Sequence, residues 1–291
     1  MTQRSQSTGN DMNMIFDDRQ CRLGEGPLWH PERRQLFWFD ILGKRLLSRE
    51  NGTPRNWQFE EFVSAAGWVS RNELLIASAS RLFLFNLETE ASAKICDLES
   101  DNPVTRSNDG RADPFGGFWI GTMGFNAEEG AGSIYRYYKG EMRRLFGGIT
   151  ISNAICFSPD GSTAYFADTS TQVIQKVGLD PDGWPEGAPS LFVDLATDGF
   201  EPDGAVVDSE GYLWNAQWGA YRVARYAPDG TFVQAISLPA KQISCPAFGG
   251  ADLETLFATS ATVGLDAGED DGKTFSVEVS VRGQREHRVV L

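Results

Sequence analysis

Asp208-Ser-Glu-Gly-Tyr-Leu-Trp-Asn-Ala216 is a turn rich in Asp and Gly that runs into a short apolar, aromatic stretch. The same pattern recurs at His30-Pro-Glu-Arg-Arg-Gln-Leu-Phe-Trp-Phe-Asp40, Ser70-Arg-Asn-Glu-Leu-Leu-Ile-Ala77 and Asp113-Pro-Phe-Gly-Gly-Phe-Trp-Ile-Gly121. It returns at Ser158-Pro-Asp-Gly-Ser-Thr-Ala-Tyr-Phe-Ala-Asp168 and Gly250-Ala-Asp-Leu-Glu-Thr-Leu-Phe-Ala-Thr259. Each reads as strand, tight turn, strand. Asp-Gly pairs, among them Asp160-Gly161, Asp203-Gly204 and Asp229-Gly230, read as the positive-φ corners of such turns.

The last residues of these runs fall at 40, 77, 121, 168, 216 and 259, a mean spacing of about 44. That interval holds four short strands, the unit of one propeller blade. The expected fold is therefore all-β: a six-bladed β-propeller of four-stranded antiparallel blades around a central channel. Further strands are expected between the markers, for example at Arg81–Asn86, Ser133–Tyr138, Val173–Val177 and Tyr221–Tyr226. Thr274–Val281 alternates cleanly after the sixth marker, and Met14–Phe16 and Arg22–Leu23 precede the first. The two ends are expected to share a blade, which hides an edge otherwise open to pairing. Residues 1–13 read as a flexible segment and 14–291 as a single propeller domain.

The 291 residues carry 26 Lys and Arg against 40 Asp and Glu, a formal net charge of −14. That charge repels phosphate and anionic lipid, so neither nucleic acid nor a membrane surface is an expected partner. The first ten residues lack the apolar core of a signal peptide, and no run approaches the roughly 18 apolar residues of a membrane span. The four cysteines, Cys21, Cys96, Cys156 and Cys245, form no C-x-x-C pair and no disulfide framework. The expectation is a cytoplasmic protein with reduced thiols, a monomer by default.

Thirteen to fifteen residues before four of the markers stand Glu25, Asn108, Asn153 and Asp203, with Arg106 two residues before Asn108. The corresponding places before 77 and 259 hold small residues, around Ser64 and at Cys245-Pro246. Innermost strands surround a propeller's axis, so residues at one repeat position converge at one mouth of the channel. Acceptor oxygens from Glu25, Asn153 and Asp203 could surround one hard divalent cation. Arg106 and Asn108 offer a cation and an amide suited to hydroxyls or a developing oxyanion. The small residues leave room for a ligand.

Four ordered motifs carry a resemblance. Gly24-Glu-Gly-Pro-Leu-Trp29, Asn108-Asp-Gly-Arg-Ala-Asp-Pro114 with Phe118-Trp-Ile-Gly-Thr-Met123, Ser152-Asn-Ala-Ile-Cys-Phe-Ser-Pro-Asp-Gly161 and Pro202-Asp-Gly-Ala-Val-Val-Asp208 resemble the gluconolactonase/regucalcin (senescence marker protein) family over residues 15–283. The resemblance implies a six-bladed propeller that holds one divalent ion and hydrolyses sugar lactones. It implies Glu25, Asn153 and Asp203 as metal ligands, Arg106 and Asn108 as substrate contacts, and Asp203 as general base. The ion would be calcium, or else magnesium, manganese or zinc. A further acidic substrate contact of some members would fall on Asn126, Glu128, Glu129 or no residue of Gly124–Gly130.

Other chemistry finds little support. His30, in a hairpin turn, and His287, in the charged C-terminal tail, are the only histidines and are expected to be solvated, which removes histidine-rich zinc sites and a Ser-His-Asp triad. Gly268-Glu-Asp-Asp-Gly-Lys-Thr274 is one residue short of a phosphate loop, acidic, and leads into a strand; it reads as a surface turn. Trp38, Trp119 and Trp214 read as sheet packing, whereas Trp68 and Trp218 could face the pocket. Cys245 reads as a small wall residue without a His partner. The expected activity is metal-dependent hydrolysis of an aldonolactone. A non-catalytic calcium-binding propeller and a phosphotriester or other ester hydrolase on the same scaffold are the alternatives.

Overall fold

The structure, a computed structural model, describes residues 14–291; the segment 1–13 lies outside the described residues. The described chain folds into six four-stranded antiparallel sheets arranged as the blades of a β-propeller, without an α-helix among the described residues. Blade 1 runs outward from the axis as Gly24–His30, Gln35–Asp40, Arg45–Glu50 and Thr53–Gln58. The inner strands of blades 2 to 6 are Val63–Ser70, Thr105–Ala112, Ser152–Phe157, Glu201–Val207 and Gln242–Gly249. All six marker residues fall in the second strand of a blade, as the 44-residue period requires: 40, 77 and 168 end it or lie one residue inside, and the strands holding 121, 216 and 259 run on to Gly124, Trp218 and Ala261.

The core lies between blades rather than on the axis. Six apolar clusters fill the six blade-to-blade interfaces, for example Phe37, Phe39 and Leu46 of blade 1 against Trp68, Leu74 and Ile76 of blade 2. Trp38, Trp119 and Trp214 are fully buried in three such interfaces, as their sequence positions predict. Because both faces of a blade are covered, inner and second strands are buried along almost their whole length instead of alternating with solvent-facing residues, as in Gln35–Asp40.

The ring closes within blade 6. Ile15–Asp17 pairs with Thr274–Glu278, which continues through Thr255–Ala261 to the inner strand Gln242–Gly249. The N-terminal strand thereby covers what would be an open edge. The predicted strand to Val281 stops at Glu278, and the remaining residues turn under the molecule.

That C-terminal stretch corrects the expectation of a solvated tail. Trp68 Nε1 donates to Glu286 O at 3.0 Å, and Gln284 Nε2 donates to Phe157 O at 2.9 Å and Val207 O at 3.0 Å. The Val289 and Val290 amides donate to Trp68 O and Gly116 O. These anchors sit at, or in the turn just past, the C-terminal ends of inner strands from blades 2 to 5, so the tail straps the end of the channel opposite their N-terminal ends. His287 is half-buried there, and burial lowers its pKa. His30 is not solvated either: it is the last residue of its strand and fully buried, because Trp68 and Phe37 pack beside it. Its Nε2 lies 3.0 Å from Ser70 O, and burial depresses its pKa. The Gly268–Thr274 segment is a loop leading into the strand Thr274–Glu278, as expected of a surface turn. No helix among the described residues is long and apolar enough to cross a membrane.

Candidate active site

Every inner strand breaks register with its neighbour near its N-terminal end. In blade 1 the pairing passes from Glu25–Phe39 to Leu28–Phe37, so the inner strand holds one residue more than its partner. The same single extra residue lies between Val63 and Ala65, Ser107 and Gly110, Asn153 and Cys156, Pro202 and Ala205, and Ile243 and Pro246. A bulge of this kind frees a residue from the ladder and re-aims the side chains around it. Six bulges at one level turn six short segments toward the axis.

The backbone at two of them is left-handed. Gly26 follows Glu25 at φ +53°, where an added Cβ would stand 2.3 Å from Ser64 O. Ala154 follows Asn153 at φ 57°, a strained setting for a residue with a side chain, and it is fully buried. Asp203-Gly204, read from the sequence as a turn, is instead the bulge of a continuous strand, and Gly204 is not in the left-handed region. Glycine is required there for space: a Cβ would meet Cys245 Sγ at 2.3 Å. Cys245 is thus a buried wall residue, its thiol held neutral by burial.

The bulges floor a cavity of about 490 Å³, and Glu25, Arg106, Asn108, Asn153 and Asp203 all line it. Thr169, which the sequence reading missed, lines it as well. A chain of hydrogen bonds crosses three blades. Arg106 Nη1 donates to Asn108 Oδ1 at 2.9 Å, Asn108 Nδ2 to Asn153 Oδ1 at 3.1 Å, and Asn153 Nδ2 to Thr169 Oγ1 at 2.8 Å. Thr169 Oγ1 then donates to Pro202 O at 2.7 Å, beside Asp203. Both amides are therefore fixed in orientation, with the Asn153 oxygen on the side of Asn108.

Glu25 and Asp203 face each other across the remaining gap. Each is about 5 % exposed, and that remnant opens to the cavity. Burial is the main cause that lifts both carboxyls well above the usual range. Asp109 adds to the rise at Glu25, which the Gly26 amide at 3.0 Å partly offsets; Glu25 and then Asp109 add to it at Asp203. Burial also brings Arg106 down to about 10 and Asp109 up to about 6. Ionising these buried carboxyls is costly without a positive partner, and a bound cation would relieve that cost. This donor chemistry, two carboxylates and one amide oxygen, fits a hard divalent cation. Among the described residues no cluster of three or more His, Cys, Asp and Glu is suited to a metal; here the third oxygen belongs to an asparagine.

Above the floor the walls are apolar. Phe62, Phe125, Ile151, Trp218 and Val263 line them, with Asn126 and Glu201 as polar neighbours. Of the two tryptophans that could have faced the pocket, Trp218 does and Trp68 packs at the opposite end. Asn126 reaches the cavity, whereas Glu128 holds the loop, accepting from the Asn126 amide and from its Nδ2 at 3.0 Å each. Glu129 is exposed and does not line the cavity. The residue missed in the sequence had a signal: Thr169 lies one residue past the marker 168.

Residues 23–262 match the model of the SMP-30/gluconolactonase/LRE-like region. The chain is 43% identical over 279 residues to a protein of Rhizobium meliloti named as a candidate sugar lactone lactonase, covering 93% of this chain and 95% of that one. It is 37% identical over 266 residues to an L-arabinolactonase of Azospirillum brasilense, covering 88% and 87%. The crystal structure of a calcium-binding protein, regucalcin, from Agrobacterium tumefaciens superposes with a TM-score of 0.93 at 40% identity over 96% of this chain and 97% of that chain. The chain belongs to the SMP-30/gluconolactonase family.

Proposed function

We propose that the protein is a divalent-cation-dependent lactonase that opens a sugar lactone to its aldonic acid. The observation that carries the reading is the pair of buried carboxyls, Glu25 and Asp203, beside the oriented Asn153 amide at the floor of an open cavity. The names of the relatives as lactonases and of the structural neighbour as a calcium-binding protein support it.

Glu25, Asn153 and Asp203 would hold the cation, calcium as the first expectation and magnesium, manganese or zinc as alternatives. When bound, the cation supplies Lewis-acid polarisation of the ester carbonyl and makes water a stronger nucleophile near neutral pH. Asp203 takes a proton from the attacking water as the new C–O bond forms. It returns that proton to the ring oxygen as the C–O bond of the lactone breaks, leaving an acid and a free hydroxyl. Arg106 has its Nη1 committed to Ser107 O and Asn108 Oδ1. Its other N–H groups make no protein hydrogen bond among the described residues and are free to hold the carbonyl region and adjacent hydroxyls. Asn108 sets the position of Arg106 and Asn153 together. Four free cysteines accord with a cytoplasmic setting.

The test is a matrix of cations and aldonolactones on chelator-treated protein, read as acid release and as thermal melting. Turnover should fall by at least about 10³-fold on chelation and return with one or more of the four cations. A cation at a hundred times its dissociation constant should add about 2.7 kcal/mol of stability, a rise in Tm of roughly 5 °C or more. Cation binding without turnover of any lactone would overturn the enzymatic reading.

A further inference from the structure

The cavity has two chemistries at two depths. Its floor is largely polar, formed by Glu25, Arg106, Asn108, Asn153, Thr169 and Asp203, with Leu23 and Met123 also lining the cavity. Around the mouth each of the six blades contributes an apolar side chain: Leu42, Phe62, Phe125, Ile151, Trp218 and Val263 in order. Phe125 and Val263 are 41 % and 37 % exposed, and Phe62 and Phe125 pack with their planes tilted by 52° at a centroid distance of 5.7 Å. A band of apolar groups, one from each blade, above a largely polar floor is costly to leave in water. It gains if the ligand part that reaches it is itself apolar.

A sugar lactone seated for hydrolysis must turn its carbonyl and neighbouring hydroxyls toward the floor. The carbon chain beyond the ring then rises into the apolar band. There a terminal hydroxyl would be desolvated with few partners, since the polar side chains at that level are Asn126, held by Glu128, and the exposed Glu201. A terminal methyl would instead lie against the apolar side chains of the band.

We infer that the preferred substrates are aldonolactones with an apolar terminus, the 6-deoxyhexonolactones, rather than their 6-hydroxyl counterparts. This rests on the lactonase reading of the same floor. The discrimination comes from the mouth alone and leaves the chemistry at the floor unchanged.

The test measures kcat/KM, with each of the four cations supplied, for matched pairs that differ only by the hydroxyl at C6, in the galactono, mannono and glucono series and both enantiomers. In the series turned over fastest, the deoxy member should be preferred by roughly tenfold to a hundredfold. Val263→Asn, an exposed substitution that places a hydrogen-bonding group in the band, should shrink that ratio at least severalfold. It should do so mainly through the deoxy substrate, with the cation-induced rise in Tm kept. Turnover of both members with a ratio near one, or preference for the hydroxylated member, would overturn the inference and leave the lactonase reading standing. Absence of turnover for every pair and cation would overturn both. An unchanged ratio in Val263→Asn would remove the mouth as the source of any preference.

Discussion

Asp203→Asn is expected to lower lactone turnover by at least about 10³-fold and still give a folded propeller. The loss has two sources: a carboxylate oxygen leaves the cation's donor set, and the base that takes the water's proton disappears. Stability should move the other way in cation-free protein. Asp203 is buried against Glu25, whose charge adds to burial in disfavouring the ionised form of Asp203. An amide of the same shape removes that repulsion and can still receive hydrogen bonds. Thermal melts with and without cation check both halves. The variant should melt no lower than the wild type without cation and should lose the rise on adding it. A variant that keeps full turnover would take Asp203 out of the chemistry; one that fails to fold would make it a structural residue.

Asp113→Ala should cost about 3–5 kcal/mol, the range for stripping the partner from a buried charge. Arg136 and Asp113 are both inaccessible, joined by Nε to Oδ2 at 2.7 Å. The guanidinium lies against the rings of Tyr138 and Trp184, 4.3 and 4.4 Å from their centroids, and its two Nη atoms have no hydrogen-bond partner among the described residues. The same carboxylate accepts from the Phe115 and Gly117 amides at 2.8 and 2.9 Å, so it also pins the turn that opens the repeat. Blade 5 has the equivalent pair, where Arg225 donates to Asp208 Oδ2 at 2.7 Å, but there Glu210 also accepts from Arg225 at 3.0 Å. Asp208→Ala should therefore cost less than Asp113→Ala, as the loss of denaturation midpoint in urea will show. Equal costs would contradict the role given to Glu210. Asp113→Ala combined with Arg136→Met should recover part of the loss, because no orphan charge then remains.

The turn Asp113-Pro-Phe-Gly-Gly-Phe-Trp119 and its counterpart Asp208-Ser-Glu-Gly-Tyr-Leu-Trp214 made the fold legible, because each packs all its determinants into seven residues. The carboxylate, the corner and the buried ring are local, so their repetition at a fixed interval exposes the blade count. Glu25, Asn153 and Asp203 were legible for the same reason: one extra residue in every inner strand keeps them in phase with the markers. The bulge itself was not. Asp203-Gly204 has the composition of a turn, and only the strand it pairs with and Cys245 behind it make it a strand segment.

Burial of His30 and the strap formed by the C-terminal residues were equally hidden. Both depend on contacts between parts of the chain far apart in sequence, such as Trp68 with Glu286. The mouth of the cavity escaped for a related reason. Leu42, Phe62 and Val263 sit in connections between strands, where an apolar residue has no period to betray its neighbours, and ring closure alone brings them together.

The most direct test is to measure turnover against cation bound, by metal analysis after equilibrium dialysis, for the wild type, Glu25→Gln and Asp203→Asn. The account predicts one tightly held cation per wild-type chain, turnover proportional to occupancy, and neither occupancy nor turnover in the two variants at the same free concentration. Full turnover in wild-type protein from which the cation has been removed would contradict it.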